Sequence, residues 1–414
     1  MQNNKLTFID LFAGCGGLTE GFLQTNKYEA IAHVDWDIPM VKTLRNRLVQ
    51  KWNHTTEDAF KRVIHFDTQK SDELINGNWS DTSRNLYAKS NHTDIVNKGL
   101  NSIVDSEIDL VIGGPPCQAY SLAGRAQDKD SMKNDYRNFL FESFIDILNE
   151  YKPKIFVFEN VTGMLSAKPG NIPVKDRIYS AFSEAGYDVL PPEYMKKAVF
   201  SSYDFEVPQK RNRVIIIGIN KEWNKKNFIT LNTFYSAIHN KKSPKRKTVR
   251  DSIANLDKFY PIDGIKINNK ISHSSRKRVS DMNHSPRYHN ERDIKIFSDW
   301  INTKMNNATT IEKQNFYTVN TGKISSLVKY RNLDWNKPSN TIVAHLYKDG
   351  LLFIHPDSKQ ARTITVREAA LLQSFPPDFD FIGSMGANYK MIGNAVPPSM
   401  AKSIADGISE IFNR

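Results

Sequence analysis

Two short stretches of this chain end in side chains that could make or break covalent bonds. The stretch GGPPCQAYS, residues 113–121, places Cys117 behind two prolines on a tight turn. The stretch KIFVFEN ends in Glu159 and Asn160. A free cysteine is most often a small buried hydrophobe, and a glutamate at a strand end is often only solvated. A thiol and a carboxylate that meet at one sheet edge can instead act as a nucleophile and its partner, so covalent catalysis is the hypothesis that the sequence raises.

A third polar stretch, QKRNR at residues 209–213, precedes the apolar run VIIIGI. In an extended segment, alternation places Gln209, Arg211 and Arg213 on one face and Lys210 and Asn212 on the other. Three long polar side chains on one face are typical of a clamp on a polar or anionic ligand. A solvated strand end is the alternative.

The stretch DLFAGCGG, residues 10–17, follows the first apolar run and opens a helical pattern. Its glycines allow the backbone to approach a ligand closely, as in nucleotide-binding turns. The next apolar run ends in Asp35 and Trp36, a carboxylate that can bind ribose hydroxyls and an indole that can stack on adenine. The loop lacks the GKS or GKT of a phosphate-binding loop, which favours a nucleoside without a triphosphate.

The elements that must position these residues alternate along the first 220 residues. Apolar runs such as LTFIDLF, YEAIAHVD, IDLVIGG, KIFVFEN and RVIIIGI are separated by helical patterns. This alternation predicts an α/β fold with a doubly wound, mostly parallel sheet. Because ligands of such sheets gather at the carboxyl ends of the strands, Cys117 and Glu159 are expected to converge there.

The composition limits the class of protein. The N-terminal residues carry no signal-peptide pattern, and no apolar stretch approaches the ~20 residues that cross a bilayer. Two cysteines provide neither a disulfide framework nor a cysteine-rich zinc site, so we expect a reducing compartment, whereas the ten histidines leave another kind of metal site open. These observations favour a cytoplasmic protein that is not associated with a membrane.

The positive charge is concentrated in one block. Residues 221–350 carry 25 Lys and Arg against 11 Asp and Glu, whereas the rest of the chain has 32 against 34. The runs KKSPKRKTVR and SSRKRVS are the densest, and a nuclear-localisation signal is the alternative for the first. A localised basic block is the electrostatic signature of nucleic-acid binding.

These patterns predict three parts. Residues 1–220 form a catalytic and cofactor-binding domain, interrupted by a polar insertion at 52–92 without clear periodicity, between the second helix and the third strand. Residues 221–350 form a smaller basic domain. Residues 351–414 return to the catalytic domain; Thr365 and Glu368 have capping-box spacing ahead of a helix, and PPSMAKSIADGISEIF predicts an amphipathic C-terminal helix.

Taken together, FIDLFAGCGG, GGPPCQ, ENV, QKRNR and GNAV resemble the motifs of the cytosine carbon-5 DNA methyltransferases in order and relative position. The resemblance extends from Phe8 to about Ile404. The family's variable target-recognition region lies between the last two of these motifs, and the charge count independently puts the basic block there. The resemblance implies a Rossmann-like methyltransferase fold with a basic target-recognition domain.

The resemblance also implies roles for individual residues. Cys117 would be the nucleophile, and Glu159 would bind ring nitrogen 3 and the exocyclic amine of a flipped cytosine. Arg213 would hold the ring carbonyl oxygen, with Arg211 and Gln209 supporting the site. The segment 119–137, small and polar, suits a loop that closes over the base.

The implied cofactor is S-adenosylmethionine, which leaves as S-adenosylhomocysteine, and the implied chemistry requires no metal. Most family members have Glu where this chain has Asp35, and the Asp94–Ile95 pair resembles the family's third cofactor contact. The residues that would contact the cofactor are Phe12, Ala13, Gly14, Gly16, Asp35, Trp36, Asp94, Ile95, Pro116, Asn394 and Val396.

The compact chain, without additional regulatory domains, is typical of the modification enzyme of a bacterial restriction system. Double-stranded DNA is the expected substrate, the protein is expected to be a monomer near the nucleoid, and a restriction endonuclease encoded nearby, without a stable complex, is a candidate partner. A branch of the family that methylates transfer RNA is the first alternative, and a catalytically silent DNA-binding module is the second. A nicotinamide enzyme on the same sheet would explain neither the PPCQ motif nor the basic block.

Overall fold

A computed structural model describes residues 5–116, 140–266 and 271–412. The chain forms two compact units. The first comprises Met1–Phe205, Arg211–Pro244 and Ala395–Arg414, and the second comprises Glu206–Lys210 and Lys245–Asn394. Cys117 and the predicted closing loop at 119–137 lie outside the described residues.

The first unit contains the sheet that the sequence predicts. Its strands are β1 (Leu6–Leu11), β2 (Tyr28–Asp35), β3 (Val63–His65), β4 (Leu110–Gly113), β5 (Ile155–Val161), β6 (Tyr187–Asp188), β7 (Val199–Ser201) and β8 (Asn212–Asn220). Their order is β3-β2-β1-β4-β5-β8-β6, with β7 also paired to β8. β1 to β5 pair in parallel, whereas β8 runs antiparallel to β5. The predicted α/β fold with a mostly parallel sheet is confirmed.

Helices separate the strands along the chain in both units. In chain order they are α1 (Gly17–Leu23), α2 (Ile38–Trp52), α3 (Thr56–Arg62), α4 (Ser71–Asn76), α5 (Asp81–Tyr87), α6 (Thr93–Lys98), α7 (Leu140–Tyr151), α8 (Val174–Glu184), α9 (Lys221–Asn224), α10 (Leu231–His239), α11 (Val249–Ile253), α12 (Glu291–Asn302), α13 (Thr310–Thr321), α14 (Val366–Leu372), α15 (Met385–Asn394) and α16 (Pro398–Phe412). None of these helices is long and apolar enough to span a bilayer.

The central strands are apolar on both faces because helices cover both faces of the sheet. All of β4 and the first six residues of β5 are buried. The C-terminal helix α16 packs on α1, where a Cβ added to Gly21 would lie 2.4 Å from the Cβ of Ala401. The hydroxyl of Tyr28 donates a hydrogen bond to the carbonyl of Ala405 at 2.7 Å, so α16 also contacts β2. The C-terminal helix is thus part of the core of the first unit, and its prediction is confirmed.

The segment 52–92 differs from its prediction as an irregular insertion before the third strand. It contains the third strand itself, β3, which pairs in parallel with the end of β2. The side-chain amide of Asn91 donates to the carbonyl of His65 at 2.8 Å and accepts from its amide at 2.9 Å. A three-residue edge strand enclosed by short polar helices is too short to show a period of two, so the sequence pattern does not reveal it.

The second unit contains a two-stranded hairpin, β9 (Phe259–Lys266) and β10 (Ile271–Ser275), and helices α11 to α15. Its described residues include an apolar cluster around Phe297, Trp300 and Tyr330. The predicted capping box is present at the start of α14, where the amide of Thr365 donates to Glu368 Oε2 at 2.7 Å. The second unit therefore has a core of its own, as a compact unit requires.

A buried ion pair stabilises the same turn. Both Nη atoms of Arg362 lie 2.7 Å from the carboxylate oxygens of Glu368, and both residues are almost fully buried. Burial alone would raise the pKa of Glu368, but the guanidinium of Arg362 and the hydrogen bonds that it donates hold that pKa well below its usual range. Loss of either partner would leave an unpaired buried charge, which is strongly destabilising.

The two units divide the chain differently from the sequence-based boundaries. Residues 221–244 belong to the first unit and residues 351–394 to the second. The second unit has 25 Lys and Arg against 15 Asp and Glu, whereas the remaining residues have 32 against 30. Most of the excess positive charge, +10 of +12, therefore lies in the second unit. That this unit recognises the target stays a prediction.

Candidate functional site

The glycine-rich loop between β1 and α1 has an unusual backbone. Phe12 and Gly14 both have φ of 57°, and Gly16 has φ of 89°. A phenylalanine in this left-handed region is uncommon and costs energy, so the surrounding contacts must hold it there. The amide of Gly14 donates to Asp35 Oδ2 at 2.8 Å, and the amide of Ala13 donates to the carbonyl of Val34 at 3.0 Å. The end of β2 thus fixes the loop.

Asp35 and Trp36 end β2 with opposite exposures. The carboxylate of Asp35 is buried and also accepts from the amide of Asp37 at 2.8 Å. The indole of Trp36 is 57% exposed, which is unusual for so large an apolar side chain. Its carbonyl lies 3.0 Å from Nε2 of His65, which must carry the proton because a carbonyl can only accept. The arrangement leaves an aromatic face free beside a fixed carboxylate and a strained loop.

Asp94 and Ile95, predicted as the third cofactor contact, lie in α6. Asp94 Oδ2 lies 3.3 Å from Nζ of Lys61, which precedes β3, and Ile95 is fully buried. The carboxyl end of β3 is followed instead by Asp67. The amide of the preceding Phe66 donates to the carbonyl of Asp35 at 3.0 Å, which ties this turn to the end of β2. The sequence pattern did not reveal β3 and therefore did not single out Asp67.

The chain leaves β4 through Gly113, Gly114 and two prolines, and Pro116 is half-buried. A Cβ added to Gly114 would lie only 2.6 Å from Oε2 of Glu159. Any larger residue here would displace this carboxylate from its present position. Gly114 precedes Cys117 by three residues, so the turn that leads to Cys117 starts against Glu159.

Glu159 and Arg213 form an ion pair at this edge. In the antiparallel pair of β5 and β8, Glu159 lies opposite Ile215 and Val161 opposite Arg213, which places Glu159 and Arg213 on one face. Arg213 Nε lies 2.6 Å from Glu159 Oε1, and the side chain of each is 11% exposed. Asn160 is buried, and its Oδ1 accepts from the amide of Val161 at 2.9 Å. A carboxylate and a guanidinium held side by side can bind adjacent polar atoms of a planar ligand.

The alternation predicted for residues 209–213 agrees with their burial. Gln209 and Arg211 are buried, whereas Lys210 and Asn212 are exposed. The carboxamide of Gln209 accepts from the amide of Ile342 at 2.8 Å, donates to the carbonyl of Leu372 at 3.3 Å and contacts Gln373. The carbonyl of Arg211 accepts from the amide of Ser202 at 2.8 Å. These contacts fix the carboxamide of Gln209 within the second unit, and its supporting role at the site stays a prediction.

The GNAV motif is divided between the two units. Asn394 is the last residue of α15 in the second unit, whereas Val396 belongs to the first. A Cβ added to Gly17 would lie 2.4 Å from the carbonyl oxygen of Val396, so this segment packs on the start of α1, directly after the glycine-rich loop. Of the predicted cofactor contacts, Val396 is thus next to the loop although nearly the whole chain separates them.

A buried polar chain lies below the loop, and sequence reasoning missed it. Thr19 Oγ1 lies 2.6 Å from Asp10 Oδ2 and 3.0 Å from His33 Nδ1. Burial raises the pKa of Asp10 to about 7 and lowers that of His33 to about 3. Within the described residues, Asp10 Oδ1 and His33 Nε2 have no hydrogen-bond partner. A signal was available, since Asp10 and His33 interrupt otherwise apolar strands.

The described residues contain no group of three or more His, Cys, Asp or Glu that could hold a metal ion. That no metal is required stays a prediction.

Comparison with known proteins places this geometry in context. The sequence profile described as C-5 cytosine-specific DNA methylase matches residues 6–78 and 75–410. The Type II methyltransferase M.Bpa9945I of Bacillus paralicheniformis is 33% identical over 98% of this chain and 99% of its own. The Type II methyltransferase M.DdeI of Desulfomicrobium norvegicum is 28% identical over 98% of this chain and 89% of its own.

Among solved structures, the fold is similar to that of an E. coli prophage-encoded protein described as a DNA modification methyltransferase. The TM-score is 0.56 at 22% sequence identity, over 99% of this chain and all of the other. At this identity the likeness concerns the fold alone.

Proposed function

The chain belongs to the family of C-5 cytosine-specific DNA methylases, and we propose that it methylates a cytosine flipped out of duplex DNA through a covalent bond to Cys117. The observation that carries the proposal is the ion pair between Glu159 and Arg213. In cytosine, ring nitrogen 3 is adjacent to the carbon that bears the carbonyl oxygen. An acid that binds the nitrogen and a guanidinium that binds the oxygen must therefore be neighbours in the protein. The turn that leads to Cys117 starts against the same Glu159.

The proposed chemistry follows from the ring. Carbon 5 of cytosine is a poor nucleophile, but addition of the Cys117 thiolate at carbon 6 moves electron density to carbon 5, provided that ring nitrogen 3 is protonated or hydrogen-bonded by Glu159. Arg213 holds the carbonyl oxygen and orients the ring. After carbon 5 has been methylated, loss of its proton to a base and cleavage of the sulfur–carbon 6 bond restore the aromatic ring and the thiolate.

Methyltransferases of this family use S-adenosylmethionine, and the residues around the glycine-rich loop of the first unit are suited to bind it. When bound, this cofactor supplies the methyl group. The strained turn at Phe12 and Gly14, the buried Asp35 and the exposed indole of Trp36 fit an adenosine, whose ribose and base need a carboxylate and an aromatic face. We propose that Asp67, rather than Asp94, contributes the third contact, because Asp67 is the second residue after the carboxyl end of β3.

Carbon 6 is inaccessible in a stacked duplex, so the target base must leave the helix at a cost of a few kcal/mol, which contacts with the protein offset. Such contacts need a positively charged surface, and the second unit carries the excess of Lys and Arg. By analogy with the named Type II methyltransferases, we propose that the modification protects DNA from a cognate restriction enzyme.

Bisulfite sequencing of DNA from cells that express the protein tests the proposal. We expect protected cytosines in one recurring short sequence, and none in cells that express Cys117→Ala at the same level. Protection of transfer RNA without protection of DNA would contradict the proposal in favour of an RNA substrate. Protection by Cys117→Ala would contradict the covalent mechanism.

A further inference from the structure

The second unit contains a concave, positively charged groove of about 480 Å³. Four cationic side chains line it, those of Lys210, Lys313, Arg331 and Lys337, against a single carboxylate, that of Asp334. Lysine and arginine side chains normally spread apart on a surface to reduce their repulsion. Four cationic side chains and one carboxylate around the same cavity leave a net positive charge, which favours an anionic ligand.

Pairing within the groove is uneven. Lys337 Nζ lies 3.1 Å from Asp334 Oδ2, so this charge is already compensated. Lys210, Lys313 and Arg331 have no carboxylate partner among the residues that the structure describes. Three uncompensated cations therefore face one concave surface.

The walls of the groove are held by hydrogen bonds of their own. Asn306 Oδ1 accepts from the indole nitrogen of the buried Trp300 at 2.9 Å, while its amide donates to the carbonyl of Asn332 at 2.7 Å. On the other wall, the amide of Lys210 donates to the carbonyl of Ser339 at 2.9 Å, and Thr341 Oγ1 donates to the carbonyl of Lys210 at 2.7 Å. A ligand would meet a backbone that is already ordered, which lowers the entropic cost of binding.

We propose that this groove binds phosphates of the DNA strand beside the flipped cytosine. The proposal rests on the proposed function and names a part of the DNA site within the basic unit. Phosphodiesters are the anions that Lys and Arg clusters bind most often in such proteins, and these contacts fix the register of the protein on the duplex. Lys210 precedes Arg213 by three residues, so their Cα atoms are at most about 11 Å apart. Even with the two side chains on opposite faces of the segment, a phosphate bound by Lys210 would lie within about one helical turn of the base that Arg213 contacts.

Salt titration of DNA binding tests the groove. We would measure the affinity of the full-length protein for a dye-labelled duplex containing the methylated sequence, using Lys313→Gln, Arg331→Gln and Lys337→Gln. The slope of log affinity against log salt should become shallower by about 0.9 for each lost phosphate contact. We expect this change for Lys313→Gln and Arg331→Gln and a smaller one for Lys337→Gln. The control is Lys295→Gln on α12, whose lysine pairs with Asp299 at 2.6 Å outside the groove and should leave the slope unchanged.

A second measurement uses the wild-type protein and does not depend on the folding of a variant. Acetylation of lysines, read by mass spectrometry, should be suppressed by bound duplex at Lys210 and Lys313 but not at Lys295. Wild-type slopes in the groove variants, or equal acetylation with and without DNA, would overturn the groove assignment while the wild-type enzyme still methylates DNA. Protection by poly-glutamate but not by DNA would also overturn it, in favour of an acidic protein partner. Loss of methyl transfer to DNA by the wild-type enzyme would instead contradict the proposed function.

Discussion

The guanidinium of Arg213 contacts the carboxylate of Glu159 across two antiparallel strands, with Nε 2.6 Å from Oε1. The two side chains share one face of the β5–β8 pair, at the edge where the parallel strands end. This edge is where ligands of open α/β sheets bind. A substitution in this pair can therefore distinguish an effect on the rate of methyl transfer from an effect on DNA binding.

We predict that Glu159→Gln lowers kcat by at least about 100-fold, a usual contribution of a general acid, while the Kd for duplex DNA stays within a few-fold of the wild-type value. Glutamine keeps the shape of the side chain but is a much poorer proton donor to ring nitrogen 3. Single-turnover methyl transfer and DNA binding would be measured in parallel. Turnover at the wild-type rate would remove Glu159 from the mechanism.

The two cysteines serve as controls for each other. Cys15 is 1% exposed within the glycine-rich loop, and burial raises the pKa of its thiol well above the usual range, which makes it a poor nucleophile. We predict that Cys15→Ala retains substantial activity, with at most some loss of cofactor affinity, and that Cys117→Ala binds DNA and cofactor but transfers no methyl group.

A duplex with 5-fluorocytosine at the target extends this comparison. Fluorine cannot leave as a proton does, so the wild-type enzyme should stay covalently attached to the DNA after methyl transfer. Denaturing gels and peptide mapping would locate the adduct. An adduct at Cys15, or full activity of Cys117→Ala, would assign Cys117 to an ordinary structural role.

Asp67→Ala and Asp94→Ala form a matched pair for the cofactor site. We predict that Asp67→Ala raises the KM for S-adenosylmethionine about tenfold, the effect of losing a hydrogen bond of about 1.4 kcal/mol, because Asp67 follows the carboxyl end of β3. Asp94→Ala should leave the KM nearly unchanged, since the Asp94 carboxylate pairs with Lys61. The reverse order of the two KM values would restore the contact that the sequence pattern indicated.

The buried Asp10 predicts a pH dependence of stability. Its pKa is raised to about 7 in the folded protein, so the folded state retains a proton that the unfolded chain loses above about pH 4. The free energy of unfolding that Asp10 contributes therefore falls as the pH rises from about 4 to 7.

Asp10→Asn removes this titration and keeps an acceptor for Thr19. Relative to the wild type, the variant should gain stability between pH 5 and pH 8, on the order of 2 kcal/mol. Thermal melts of the variant and the wild type at pH 5 and pH 8 would measure this gain. The titration of His33 contributes to both proteins and therefore cancels in the comparison. A constant difference in Tm would contradict a protonated Asp10.

Strong local patterns predicted much of the site. The apolar runs marked the strands that carry Glu159 and Arg213, and the capping box at Thr365 marked α14, because burial on both faces and end capping leave direct traces in residue type. The alternation of residues 209–213 also predicted which side chains are buried. These features depend on interactions between residues close in sequence.

Features that depend on distant residues were not predictable in the same way. Nothing near residue 213 reveals that β8 runs antiparallel to β5, the orientation that brings Arg213 to Glu159. The strand β3 is too short for a periodic signal, and Asp67 was missed with it. Residues 351–394 join the second unit through contacts such as that between His284 and Thr365, which are 81 residues apart.

The packing of α16 on α1 has a consequence for folding during translation. Gly17, Gly21 and Tyr28 make their contacts with Val396, Ala401 and Ala405, which are translated about 380 residues later. At about 5–20 residues per second, α1 waits on the order of 20 to 80 s for this partner. The cofactor loop therefore cannot reach its final packing during synthesis. A chain that lacks α16, whether nascent or truncated, should be unable to bind cofactor, and methyl transfer should begin only after this helix has left the ribosome.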